Sequence, residues 1–234
     1  EITTRLVGSE MCIRDSLKDV DFAVLSHAHY DHANGMGKFF EINEKAPFYL
    51  QEGCGENCYF KKGFIRKYIG IPKGITKKYQ DRIKYVSGVY TVADGIYLVS
   101  HSTPHLEQIG KKEMMYQKTK LGWKPDNFCH EQSLVLDTDG GLVIFNSCSH
   151  GGVVNIINEV KAAFPNKKIT ALIGGFHIFK HPEAEIRELA KLIQETGIER
   201  IYTGHCSKER GYRILREELG DMAGQFYVGM ELEF

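Results

Sequence analysis

Apolar and polar residues along this chain follow two rhythms in turn. Short apolar runs of strand length alternate with longer stretches of helical period. The run at 22–26 predicts a buried strand, followed by a polar loop at 27–32 and a helix over 33–41. Further strands are predicted at 47–50, 83–86 and 95–99. Strands at 133–137 and 142–145 flank Asp139-Gly140-Gly141, a favourable hairpin turn. A regular alternation then closes the chain: helix 153–164, strand 169–173, helix 183–195, strand 200–202 and helix 208–218. Two stretches lack a period. Residues 51–80 are rich in Gly, Lys and Tyr and read as a long insertion or lid, and 101–127, with the single Trp123, reads as irregular. Strands and helices in this order predict an α/β fold.

The histidines fall at particular points of that pattern. Four predicted strands each deliver a histidine just past the carboxyl end: His27, His150, His177 and His205. In layered α/β sheets that edge is where sites assemble, and imidazole is the commonest metal-binding side chain. The densest group is His27-Ala28-His29-Tyr30-Asp31-His32, three histidines and an acid within six residues. In an extended loop, residues two apart point the same way, so His27 and His29 can grip one ion while Asp31 and His32 serve a second. Histidine and carboxylate ligands with an open position suit a catalytic zinc or iron site. The competing explanation, a surface histidine cluster or pH-sensitive turn, does not account for the strand before the motif and the helix after it.

Composition narrows the class. The chain has 234 residues, 42% hydrophobic and 26% charged, with 30 Lys+Arg against 30 Asp+Glu. This length suits one large domain with its own core. Zero formal net charge gives no sign of nucleic-acid binding, although a local basic groove stays open. The expected partner is a small-molecule substrate. The six cysteines form no spacing typical of small disulfide-stapled proteins, so reduced thiols and a cytoplasmic location are expected. No apolar run of about 18 residues predicts a membrane span. Residues 1–16 carry no period that continues into the rest, and the string VGSEMCIRDS resembles translated sequencing-adapter read-through. They are expected to be a non-native tail, with the natural sequence beginning at residue 17.

The motif H-x-H-x-D-H at 27–32 is the signature of the metallo-β-lactamase superfamily. Ser147-Cys148-Ser149-His150-Gly151-Gly152, Gly174-Gly175-Phe176-His177 and Thr203-Gly204-His205-Cys206 follow in the superfamily's order. Together they resemble the branch of metal-dependent hydrolases related to an enzyme of methanopterin biosynthesis, dihydropterin ribofuranosyl-aminobenzene phosphate synthase. The resemblance covers about residues 17–234 and implies a four-layer αββα sandwich lacking its N-terminal strands. It implies one or two divalent ions, zinc first, with iron or manganese as alternatives. His27, His29 and His150 would hold the first ion, and Asp31, His32 and His205 the second. Such an ion lowers the pKa of bound water toward about 7 and supplies hydroxide at neutral pH. The activity implied is hydrolysis of a small phosphorylated or cyclic ester, with Asp31 orienting the nucleophile. The superfamily's bridging Asp has no counterpart beside His177, so His177 is expected to stand in for it or to donate a proton to the leaving group. An iron-dependent oxidoreductase of the same fold, a metal-binding module without catalysis and a nuclease are the rival readings.

Several further residues carry weaker signals. Cys148 and Cys206 flank expected ligands and are either ligands themselves or small core residues. Cys54 and Cys58 could bind metal but lack a partner pair. His101 and His105 read first as solvated loop residues, and His130-Glu131 either faces the site or does not. Lys61, Lys62, Arg66 and Lys67, interleaved with aromatics, read as a solvated lid face.

Overall fold

The computed structural model describes residues 16–234, so residues 1–15 of the expected tail, including Cys12, lie outside the described residues. In chain order the elements are β1 (Ala23–Val24), α1 (Tyr30–Ala33), α2 (Met36–Ile42), β2 (Phe48–Gln51), β3 (Cys58–Lys62), β4 (Ile65–Tyr68), α3 (Ile75–Lys78), β5 (Ile83–Val86), β6 (Val89–Ala93) and β7 (Ile96–Ser100). They continue with α4 (Glu107–Lys112), β8 (Met115–Thr119), β9 (Gly122–Pro125), β10 (Gln132–Thr138), β11 (Gly141–Cys148), α5 (Val153–Ala163), β12 (Ile169–Gly175), α6 (Glu183–Glu195), β13 (Arg200–Thr203), α7 (Lys208–Leu219) and β14 (Ala223–Gln225). The class is α/β, as expected. Two compact units are present, one formed by Leu17–Tyr90 with Leu98–Ser133, the other by Thr91–Tyr97 with Leu134–Phe234. Among the described residues, no helix is long and apolar enough to cross a membrane.

In the first unit, β1, β2 and β5 form a parallel sheet in that order. Its core gathers Leu25, Met36, Phe39, Phe40, Phe48, Leu50 and Ile71. Phe39, Phe40 and Phe48 meet edge-on or tilted, with ring centroids 5.4–5.8 Å apart, within the range favoured by aromatic quadrupoles. Arg82 ties this layer to the turn after α2 by donating to the carbonyl oxygens of Phe40, Asn43 and Ala46.

The stretches read as irregular are ordered. Strands β4, β3, β8 and β9 form an antiparallel four-stranded sheet, with β3 paired to β8 across more than fifty residues of sequence. The expected lid face is a hairpin whose cations lie over aromatic rings: Lys61 over Tyr116, Arg66 over Trp123 and Lys67 over Tyr30. Stacking of this kind holds the charge at the surface while its stem covers the ring.

The second unit is built on the sheet β14-β13-β12-β11-β10-β7-β6. β10 and β11 form the expected antiparallel hairpin. β11 to β14 run parallel, so their carboxyl ends share one edge. Parallel strands need helical crossovers, and α5, α6 and α7 supply them. Helix α5 buries Val153, Ile156, Ile157 and Val160, a spacing of three, four and seven that makes one apolar stripe. Each such side chain contributes about 1.5–3 kcal/mol when withdrawn from water.

Candidate metal centre

In the first unit the backbone from Leu25 to Tyr30 is held at Leu25, Ser26, Ala28 and Tyr30. The Leu25 N–H donates to the Tyr49 carbonyl, and the Ser26 carbonyl accepts from the Gln132 N–H. The Ala28 N–H donates to His130 Nδ1 over 3.2 Å, and the Tyr30 N–H donates to the Ile69 carbonyl. His29 then caps α1 in an extended conformation, its carbonyl accepting from His32 and Ala33. The helix therefore starts at Tyr30, earlier than the sequence pattern placed it.

This path brings most of the first motif together. His27 and His29 are buried, with ring centroids 4.8 Å apart and nearly perpendicular. The His32 ring is 4.4 Å from that of His27. His27, Asp31 and His32 each offer a ligand atom, all within 4.8 Å of one another. The Asp31 carboxylate is exposed and lies 3.5 Å from His32 Nε2. Imidazoles and one carboxylate converging just past the end of β1 fit a divalent ion by donor chemistry.

Behind the motif lies a group that the sequence reading did not assemble. His29, Cys58, Asp126 and His130 are all buried, with ligand atoms within 4.8 Å. Asp126 Oδ2 lies 3.1 Å from His130 Nε2, while Oδ1 accepts from Gln117 Nε2 at 2.7 Å and from the Phe128 N–H at 2.9 Å. Burial pushes the Asp126 carboxyl up, but His130, His29 and the Phe128 N–H outweigh it and hold the group below the usual carboxylate range. Burial pulls the His130 ring down and Asp126 pulls it up more strongly. Both ring nitrogens of His130 are engaged, Nδ1 by the Ala28 N–H and Nε2 by Asp126, so the ring acts as a hydrogen-bonded support for the motif. Burial also pushes the Cys58 thiol up, and that of Cys54 to about 12, which suits core thiols.

The weaker histidine candidates separate cleanly. His101 is buried against the buried Glu131 at 3.9 Å, which corrects the expectation of a solvated loop residue. His105 is exposed beside Glu107, as expected. Asp126 had one faint sequence signal, its position four residues before His130.

In the second unit, the parallel strands deliver their histidines at one edge. His150 follows β11 and is buried, with its ring centroid 4.2 Å from that of His177 after β12. His205 opens the short 3-10 turn His205–Ser207 after β13 and is exposed. A ring nitrogen of His205 lies within 4.8 Å of Cys148 Sγ. His177 and His205 both have positive φ, 53° and 48°, a conformation that costs a non-glycine residue free energy and concentrates at functional sites. The sulfurs of Cys148 and Cys206 approach to 2.6 Å. Cys148 Sγ lies 3.5 Å from His177 Nδ1, and the His177 N–H donates to Cys206 Sγ at 3.1 Å. The Cys148 hydrogen bond, opposed by burial and aided by His177, lowers the Cys206 thiol to about 5. Cys148, His177 and Cys206 make a donor group without a carboxylate, in keeping with the missing bridging acid.

The family model of the metallo-beta-lactamase superfamily matches residues 8–110. The chain is 26% identical to 7,8-dihydropterin-6-methyl-4-(beta-D-ribofuranosyl)-aminobenzene-5'-phosphate synthase of Methanocaldococcus jannaschii, over 93% of this chain and 76% of that protein. It is also 26% identical to an uncharacterized protein of the same organism, over 68% of this chain and 58% of the other. Among solved structures, a metal-dependent hydrolase of the beta-lactamase superfamily (Tm1679) superposes with a TM-score of 0.76 and 25% identity, covering 90% of this chain and 78% of its own. The fold is the metallo-β-lactamase fold, and over residues 8–110 the chain is similar to the metallo-β-lactamase superfamily.

Proposed function

We propose that the chain is a metal-dependent hydrolase acting on a small ester, with a phosphorylated substrate favoured. The observation that carries this reading is the buried, mutually perpendicular pair His27 and His29, with His32 beside it and Asp31 at the rim. In the first unit we propose His27, His29, Asp31 and His32 as ligands, with zinc as the first choice of ion; in the second unit, taken by itself, His150 and His205 are the proposed ligands. When bound, the ion supplies a water of lowered pKa and a charge to stabilise a developing oxyanion. Asp31, exposed and anionic, accepts a hydrogen bond from the attacking water and fixes its direction. His177, whose Nδ1 faces Cys148, is the residue we propose to pass a proton to the leaving group. The solved relative described as a metal-dependent hydrolase supports the reaction class. The relative named for a ribofuranosyl 5'-phosphate product supports a phosphorylated substrate, and its description as a synthase keeps group transfer as the second reading.

The test is turnover of phosphodiester, lactone and thioester panels by protein loaded separately with zinc, manganese and ferrous iron. Hydrolysis in at least one panel, abolished by chelation, is the expected result. Oxygen consumption by the iron form with no hydrolysis by any form would replace this reading with the oxidoreductase.

A further inference from the structure

We propose that Cys148 and Cys206 form a redox-active dithiol, a site that a small peroxide closes reversibly into a disulfide. Cys148 ends β11, and Cys206 sits in the turn after β13, so β12 runs between the two strands that bring them in. The sulfurs meet because β12 ends in glycine: a Cβ on Gly175 would lie 2.5 Å from Cys206 Sγ. At 2.6 Å the sulfurs are well inside ordinary non-bonded contact, which is about 3.5–4.0 Å even between the smaller carbon atoms. A disulfide bond is about 2.05 Å, so a small side-chain movement closes it. Joint ligation of one zinc ion is a poorer match. Two sulfurs each about 2.3 Å from a tetrahedral ion stand on the order of 3.7 Å apart.

The surroundings favour the bond over further oxidation. Both cysteines are buried, which hinders bulky disulfides more than a small peroxide. Cys206 Sγ attacks one peroxide oxygen, the O–O bond breaks, and sulfenic acid and water form. Cys148 Sγ then attacks Cys206 Sγ, forming the S–S bond and expelling the sulfenic oxygen as a second water, with the Cys148 proton passing by way of His177 Nδ1, 3.5 Å away. The two electrons lost by the thiols reduce the peroxide. His150 lies two residues after Cys148, and His205 precedes Cys206. Oxidation therefore pins the backbone beside two proposed ligands, a consequence that rests on the proposed metal centre, whereas the disulfide does not.

The experiment is mass spectrometry of the full-length, metal-free protein after stoichiometric hydrogen peroxide, followed by peptide mapping. The expected result is the loss of two hydrogen masses, mapped to a Cys148–Cys206 cross-link and reversed by dithiothreitol. Cys148→Ser should lose the cross-link and leave a trappable sulfenic acid on Cys206. The wild-type map decides the matter even if that variant does not fold. Sulfinic acid without a cross-link, or a cross-link between other cysteines, would overturn the proposal. So would cobalt binding that produces an intense sulfur-to-metal charge-transfer band lost in Cys148→Ser.

Discussion

The main-chain N–H of Ala28 donates to Nδ1 of His130, a partner 102 residues away. Ala28 lies between His27 and His29, so one buried histidine holds the backbone that aims both. Asp126 in turn holds His130 by its other ring nitrogen. Outer partners of this kind typically change metal affinity by about ten- to a hundredfold when removed. His130→Ala should weaken zinc binding by that factor and destabilise the fold by about 3 kcal/mol or more, since it also strips a buried carboxylate of its partner. Zinc titration and urea unfolding check the two effects. Unchanged affinity in a folded variant would show that the clamp does not position the motif.

Asp126 gives a pH signature. Its folded pKa lies below its unfolded value, which is about 3.9. The stability it adds is therefore fully present above the unfolded value and is lost as pH falls through the folded one. Asp126→Asn should be less stable than wild type at neutral pH, and the gap should narrow steadily in acid. A gap that stays constant from neutral pH to pH of about 3 would contradict this assignment.

Asp31 separates chemistry from stability. It lies in the first turn of α1, whose cap is His29, so it is not the helix cap. Asp31→Asn keeps the size and removes the charge. Turnover should fall by about a hundredfold or more, on the scale of general-base and orientation effects. Stability should change by no more than about 0.5 kcal/mol, as for other exposed sites. Near wild-type turnover with unchanged metal content would remove Asp31 from the mechanism.

Gly175 tests the packing around the thiols. Its Cβ would meet Cys206 Sγ at 2.5 Å and the Ser147 carbonyl oxygen at 2.9 Å. Gly175→Ala should cost about 1–3 kcal/mol by overpacking and should suppress the Cys148–Cys206 cross-link. A stable variant that still cross-links would show that the sulfurs have more room than the structure gives them.

The sequence was most legible where structure is set locally. Helix α6 spans Glu183–Glu195, as its period predicted, and β11, β12 and β13 each carry a histidine past the expected end. Strands β3, β4, β8 and β9 escaped because their faces mix lysine with aromatics, leaving no clean two-residue alternation, and because the β3–β8 pairing that joins the two hairpins is distant in sequence. The short strand at Ala23–Val24 was overestimated because the apolar run continues through Leu25, which packs into the core without extending the strand. The H-x-H-x-D-H motif was readable because its donors are neighbours in sequence. Asp126 was not, since its role comes from a turn that carries it back to His29, and the 2.6 Å approach of Cys148 and Cys206 depends on a glycine in a third strand.

Zinc stoichiometry, measured by inductively coupled plasma mass spectrometry after loading and exhaustive dialysis, tests the central claim most directly. The comparison is wild type against His27→Ala/His29→Ala, with circular dichroism confirming that both are folded. Wild type should retain at least one ion per chain and the double variant should retain none. Equal zinc in both proteins, or none in wild type, would contradict a metal centre built on His27 and His29.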